Sequence, residues 1–137
     1  MDALREDRGQ SLVVAALLLG AAATAVVAVH GAQERLVSYV REQRTGEAAV
    51  AAAGAAVADL QLARVRELGR ALEPAEIARF ATEQAVTDAA RSAAIALTSA
   101  RGQPAPSEVT VLAFGVEIEV HVTIRGRRHI ALLGPPA

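Results

Sequence analysis

Apolar and polar positions along this chain pass through three successive regimes. The first is unbroken: residues 11–32, SLVVAALLLGAAATAVVAVHGA, contain no formally charged side chain. Coiled as a helix they rise about 33 Å, the thickness of a bilayer hydrocarbon core. A chain this short has no core large enough to wrap a helix that is apolar on every side, so the stretch predicts a transmembrane helix. The second regime is helical and amphipathic. Leu36, Val37 and Val40 fall on one side, with Glu34, Arg41, Glu42 and Arg44 elsewhere, which predicts a helical stem over residues 33–72. Within it, Thr45 and Gly46 followed by Glu47 read either as a cap and first turn or as a soft spot in a continuing helix. Leu62, Val65, Leu68 and Leu72 form an apolar stripe toward its end, and Gly69 weakens the last turn.

At Glu73 and Pro74 the pattern restarts, with proline suited to a first helical position and Glu76 suited to the first turn. The spacing predicts one helix from there to about Ala100, burying Ile77, Phe80, Ala81, Ala85, Ala89 and Ala93. Glu76 with Arg79 and Asp88 with Arg91 would make i,i+3 pairs on its wet side. Residues 101–107, RGQPAPS, form a loop. The third regime has period two. Val116, Ile118, Val120, Val122 and Ile124 alternate with Glu117, Glu119, His121, Thr123 and Arg125, the signature of a half-buried strand. Residues 109–114 supply its hairpin partner across a tight turn at Gly115, and residues 129–133 a third strand beyond Gly126. The expected fold is therefore α+β: a long N-terminal transmembrane and stem helix, further alanine-rich helices, and a small C-terminal antiparallel β-sheet. The expected layout is a head over residues 1–10, the span over 11–32, the stem over 33–72, and a helix-plus-sheet outer domain over 73–137. That sheet needs cover on its apolar face, and the helix from Pro74 is the nearest candidate.

Composition sharpens this in two ways. The 53% hydrophobic content is mostly alanine, with Tyr39, Phe80 and Phe114 the only aromatics, so helices must pack closely around thin side chains. A net charge of −1 leaves no basic footprint for nucleic acid, and the absence of cysteine excludes disulfides, thiolate metal sites and cysteine nucleophiles. The head carries Arg5 and Arg8 but also Asp2, Glu6 and Asp7, unlike the positive start of a secretory signal, and the apolar run is longer than a signal's. Arginines flank the span on both sides, so charge counting does not orient it. Inside the span, Ala16, Gly20, Thr24 and Ala28 recur at i+4 and make a ridge of small side chains suited to close helix packing. Composition alone also generates such ridges in an alanine-rich segment.

Catalytic motifs are missing: there is no phosphate-binding glycine loop, zinc helix or serine elbow. Alternation places Glu117, Glu119 and His121 on one strand face, a set that could hold a metal, but an outward strand face carries polar residues in any case. His129, following Arg127 and Arg128, reads as a surface residue among those arginines. No enzyme activity, cofactor or metal is expected.

The order of charged head, RGQSLVVAALLLG, apolar span, charged stem, alanine-rich helix GEAAVAAAGAAVADLQLA and terminal alternating strands resembles TadE/TadG-like proteins, pilin-like minor components of the tight-adherence, type IV-related pilus system. The resemblance is one of layout over nearly the whole chain, with a short motif before the span. In such families a prepilin peptidase at the cytoplasmic face cuts after a glycine that precedes the apolar helix. Gly9 stands at that position, with Gln10 as the new amino terminus. The fifth residue after the cut is often a glutamate that pairs with a neighbouring subunit's terminal amine; here it is Val14, which fits a TadG-like or accessory pseudopilin better than an ordinary shaft subunit. The resemblance implies a single-pass cell-membrane protein with a cytoplasmic N-terminus and an extracytoplasmic C-terminal domain. It also implies other pilin-like subunits and pilus assembly proteins as partners, and the peptidase as a processing enzyme. The alternative reading is a membrane-tethered adaptor or binding module unrelated to pili.

Overall fold

The computed structural model of the 137-residue chain describes the backbone of residues 3–135 and, within them, the side chains of residues 13–135. The elements are a long helix α1 (Ala3–Leu68), two shorter helices α2 (Pro74–Thr82) and α3 (Gln84–Ala100), and strands β1 (Glu108–Phe114), β2 (Glu117–Ile124) and β3 (Arg127–Leu133). The expected α+β architecture is the one observed. Two compact units divide it, Met1–Val40 and Arg41–Ala137, and α1 contributes residues to both.

In the first unit every described side chain is exposed except Gly31, which is half-exposed. From Val13 onward the helix is long and apolar enough to cross a membrane, and none of its most apolar window is buried by the rest of the chain. Thr45 and Gly46 lie inside α1, so the helix continues through them without a new start. It ends at Gly69, whose φ of 65° and N–H bond to the Val65 carbonyl at 2.9 Å make a left-handed C-terminal stop.

The second unit is built on the sheet, ordered β1-β2-β3 and antiparallel throughout. Both hairpins close on two-residue turns. Gly115 has φ 64°, and Arg125 and Gly126 have φ 50° and 77°, the double positive φ of a type I′ turn. Val116 sits in the first turn, so β2 begins one residue later than the alternation suggests. Ile118, Val120, Val122 and Ile124 all face inward and are buried, as are Val109 and Val111 of β1. Their cover comes from two sides. α2 and α3 pack against β1, while α1 lies along β3: Gly46 touches His129, and Gly54 faces the side chains of Ala131 and Leu133. The part of α1 that does this presents Thr45, Ala49, Ala53, Val57 and Gln61, all buried at i+4 spacing. Cover by α1 is the part of the packing that the helix from Pro74 does not supply.

The expected single helix over residues 74–100 is broken at Glu83, whose φ and ψ of −65° and 129° are extended. Its N–H donates to the Phe80 carbonyl at 3.0 Å and its carbonyl accepts from Val86 at 3.1 Å, so one residue closes α2 and opens α3. Arg64 of α1 holds the Glu83 carboxylate through a single nitrogen, Nη2 donating to the two oxygens at 3.0 and 3.2 Å. The break shifts the helical phase. Ile77, Phe80 and Ala81 are buried as expected, but beyond the break Val86, Ala90 and Ala94 are buried one position after the expected Ala85, Ala89 and Ala93, and Thr98 joins them.

Candidate functional site

The molecule offers two kinds of surface, and each is described within its own unit. In the first, Ala16, Gly20, Thr24 and Ala28 stand on α1 with exposed side chains. A Cβ at Gly20 would meet no heavy atom within 4 Å, so the ridge is open at its centre. Thr24 Oγ1 donates to the Gly20 carbonyl at 2.7 Å. That bond satisfies the hydroxyl inside the helix, so it brings no unpaired donor into an apolar surrounding. The ridge can therefore serve lipid or a second helix equally. Val14 is exposed and apolar like its neighbours. Gly9 and Gln10 lie where the side chains fall outside the described residues.

In the second unit the outer sheet face carries the polar set. Glu119 Oε2 and His121 Nε2 meet at 2.8 Å, and both are largely covered by their neighbours. Glu117 stands two residues away, opposite Phe114. Among the described residues there is no group of three His, Asp or Glu side chains arranged to hold a metal. Around the Glu119–His121 pair the same face is apolar and exposed: Leu112, Phe114, Ile130 and Leu132, the last two 53% and 65% accessible.

His129 is not a surface residue. It is only 8% accessible, because alternation along β3 turns His129, Ala131 and Leu133 inward while Arg128, Ile130 and Leu132 face out. The Nε2 end of its imidazole abuts α1 at Gly46, where a Cβ would come within 2.5 Å of ring atoms Nε2, Cε1 and Cδ2. A small cavity beside it is lined by Glu42, Thr45, Arg125 and Arg127. Arg125 pairs with Glu42 across it, joining the β2–β3 turn to α1, and Arg101 Nη1 donates to the Arg44 carbonyl at 3.2 Å. The flanking arginines hid this histidine; the period-two pattern of residues 129–133 was the signal that could have found it.

Acid–base interactions elsewhere are structural. Glu76 of α2 accepts from both Nη atoms of Arg70 at 2.8 Å and from the Glu73 N–H at 2.8 Å, which closes the first turn of α2. The Arg70 bond, followed by the Glu73 backbone bond, holds the Glu76 carboxyl down at about 2. Glu76 thus turns to Arg70 rather than to Arg79, and Asp88 accepts from Gln84 Nε2 at 2.8 Å.

Comparison with protein-family models, curated proteins and solved structures returns no match. The geometry alone defines a chain with a membrane-compatible helix and a compact α+β unit of about 100 residues, the size of a small domain.

Proposed function

We propose that the chain is a membrane-anchored, pilin-like subunit or accessory protein that takes part in assembling a tight-adherence type pilus through helix packing and protein–protein contacts. The observation that carries the reading is α1 itself. One helix supplies an uncovered apolar stretch from Val13 and then, from Thr45 to Gln61, a wall of the α+β unit. An element of that kind ties an anchor to a folded domain through one continuous helix, and its apolar part can exchange lipid for neighbouring helices at little hydrophobic cost. Residues 11–32 cross the cell membrane with the N-terminus in the cytoplasm, and the α+β unit stands outside. The ridge of Ala16, Gly20, Thr24 and Ala28 is the face toward neighbouring helices. The chain acts without cofactor, metal or nucleic acid, and it is not an enzyme.

The test is intact mass and N-terminal sequence of the protein recovered from membranes, with and without the host's prepilin peptidase. A mature chain beginning at Gln10 only when the peptidase is present supports a processed pilin-like subunit despite Val14. An uncut chain that never cofractionates with sheared surface filaments supports a tethered adaptor instead. A cut near Ala32 removes the anchor and overturns the reading.

A further inference from the structure

The sheet ends on two edge strands whose side chains match. β1 and β3 are its edge strands, and β3 borders an open groove of about 470 Å³ bounded by Gln43, Glu47 and Ala51 of α1 and by residues 128–131. Both strands keep their charges at one end, Glu108 in β1 and Arg127 and Arg128 in β3. There is no proline in either, and no charged residue from Val109 to Phe114 or from Ile130 to Leu133. Such edges accept another strand.

We propose that the strand each edge accepts comes from a second copy of this chain: β1 of one copy adds in parallel to β3 of the next and extends the sheet head to tail. Register gives the first argument. Through β2, Glu108 stands level with Arg128, Thr110 with Ile130, and Leu112 with Leu132, all on the outer face. A copy displaced sideways sets Glu108 beside Arg128 and Leu112 beside Leu132 across the new seam. Opposite charges and matched apolar pairs both favour that register. Direction gives the second. β1 and β3 run the same way, because each is antiparallel to β2, so the displaced copy is not reversed. The Arg41 end of every copy then stays on one side, as copies tethered to one membrane through the residues before Arg41 require. Antiparallel pairing of like edges would invert alternate copies. The seam is heterologous, each copy offering one donor and one acceptor edge, so the assembly propagates rather than closing at two. This inference rests on the anchored part of the proposed function and not on a role in pili.

The chain has no cysteine, so thiols can be placed at will in the full-length protein in membranes. In the Thr110→Cys, Ile130→Cys double variant the two sites of one copy are separated by the whole of β2. That is two strand spacings, about 9.6 Å, beyond disulfide reach, so any bond formed joins copies. Mild oxidation should give a ladder of dimers, trimers and longer products from the double variant, and monomers from each single variant. Leu112→Cys with Leu132→Cys reads the same seam one step along and should behave alike. Glu108→Arg should thin the ladder several-fold, and Glu108→Arg with Arg128→Glu should restore it. Monomers from both double variants overturn the proposal, as do dimers from either single variant at the yield of the double, which would mean pairing of like edges. A pilus role can fail in the peptidase and filament tests while the ladder still forms, so the two readings fail separately.

Discussion

Two stretches of the same helix carry the same device and meet opposite fates. Ala16, Gly20, Thr24 and Ala28 form a ridge of small side chains at i+4, and so do Thr45, Ala49, Ala53 and Val57. Each ridge includes a threonine whose hydroxyl is satisfied by its own helix, Thr24 by the Gly20 carbonyl at 2.7 Å and Thr45 by the Arg41 carbonyl at 2.9 Å. Among the described residues nothing covers the first ridge, whereas the second is buried within the α+β unit. The difference lies in the rest of the circumference. Around residues 13–32 the other faces are also apolar, with Leu17, Leu18, Val26 and Val27 exposed, whereas around residues 45–61 they are cut by Glu47 and Asp59. A ridge of small residues says how closely something can approach. The opposite faces say whether that something is lipid and neighbouring helices, or the protein's own sheet.

The sharpest way to break the comparison is to place the same charge in each stretch. Val57 is completely buried and Leu19 is 71% exposed. Val57→Asp puts an unpaired carboxylate into the core and should unfold the α+β unit, a loss of several kcal/mol. The checks are loss of its cooperative thermal transition and rapid proteolysis. Leu19→Asp should leave that transition unchanged and instead cost about 3 kcal/mol of membrane insertion near mid-span, read as a soluble fraction on membrane flotation. Unfolding by both substitutions would mean that the first stretch belongs to the folded core after all.

Adding one methyl group sharpens the contrast at the glycines. Gly46→Ala drives a Cβ into the His129 ring and should cost about 1–3 kcal/mol, whereas Gly20→Ala meets nothing and should change the unit's stability by less than about 0.5 kcal/mol. A double-mutant cycle with His129→Ala should recover part of the Gly46→Ala loss, a coupling of at least about 0.5 kcal/mol. Absence of coupling would place the strain somewhere other than this contact. The same ridge ends on Gln61, 2% accessible, whose Nε2 has no hydrogen-bond partner among the described residues. Gln61→Met removes that unpaired donor at similar volume and should raise stability by about 1 kcal/mol. Chemical denaturation reads the gain as a higher midpoint at unchanged slope.

What could be read in advance divides along the same line. Strict alternation marked β2, glycines marked both hairpin turns, and Pro74 marked the start of α2, because in each case a local steric rule decides the outcome. The i+4 set from Thr45 to Gln61 was not legible as a core face. Its residues are threonine, two alanines, valine and glutamine, which differ little in hydropathy from their alanine- and valine-rich neighbours, and only β3 lying against them gives them their role. Nor was the break at Glu83 legible. Nothing in EQAV forbids a helix, and the extended residue is held by Arg64 from another element, which then moves every buried alanine of α3 by one position. For the candidate site, the open ridge could be listed residue by residue from spacing alone. The inward turn of His129 needed the pleat of β3 to outweigh its arginine neighbours.

A covered ridge also requires the chain to turn back after α1, and that corner carries an acid-dependent contribution to stability. At Gly69 the helix stops, and Arg70 then grips Glu76 in the first turn of α2. The folded Glu76 carboxyl, at about 2, lies below its ordinary value of 4.5. A depressed folded value means that the ionised group stabilises the fold above 4.5, and that this contribution is lost as pH falls from 4.5 through about 2. Arg70 and Glu76 are both solvent-accessible, so the loss should loosen the corner rather than unfold the unit. Arg70→Ala should raise the Glu76 titration back toward 4.5, followed by the carboxyl carbon shift in NMR, and flatten the acid limb of the stability curve between pH 4.5 and 2. An unchanged Glu76 titration in that variant would transfer its depression to the Glu73 N–H bond, and the corner would then be held by the helix start alone.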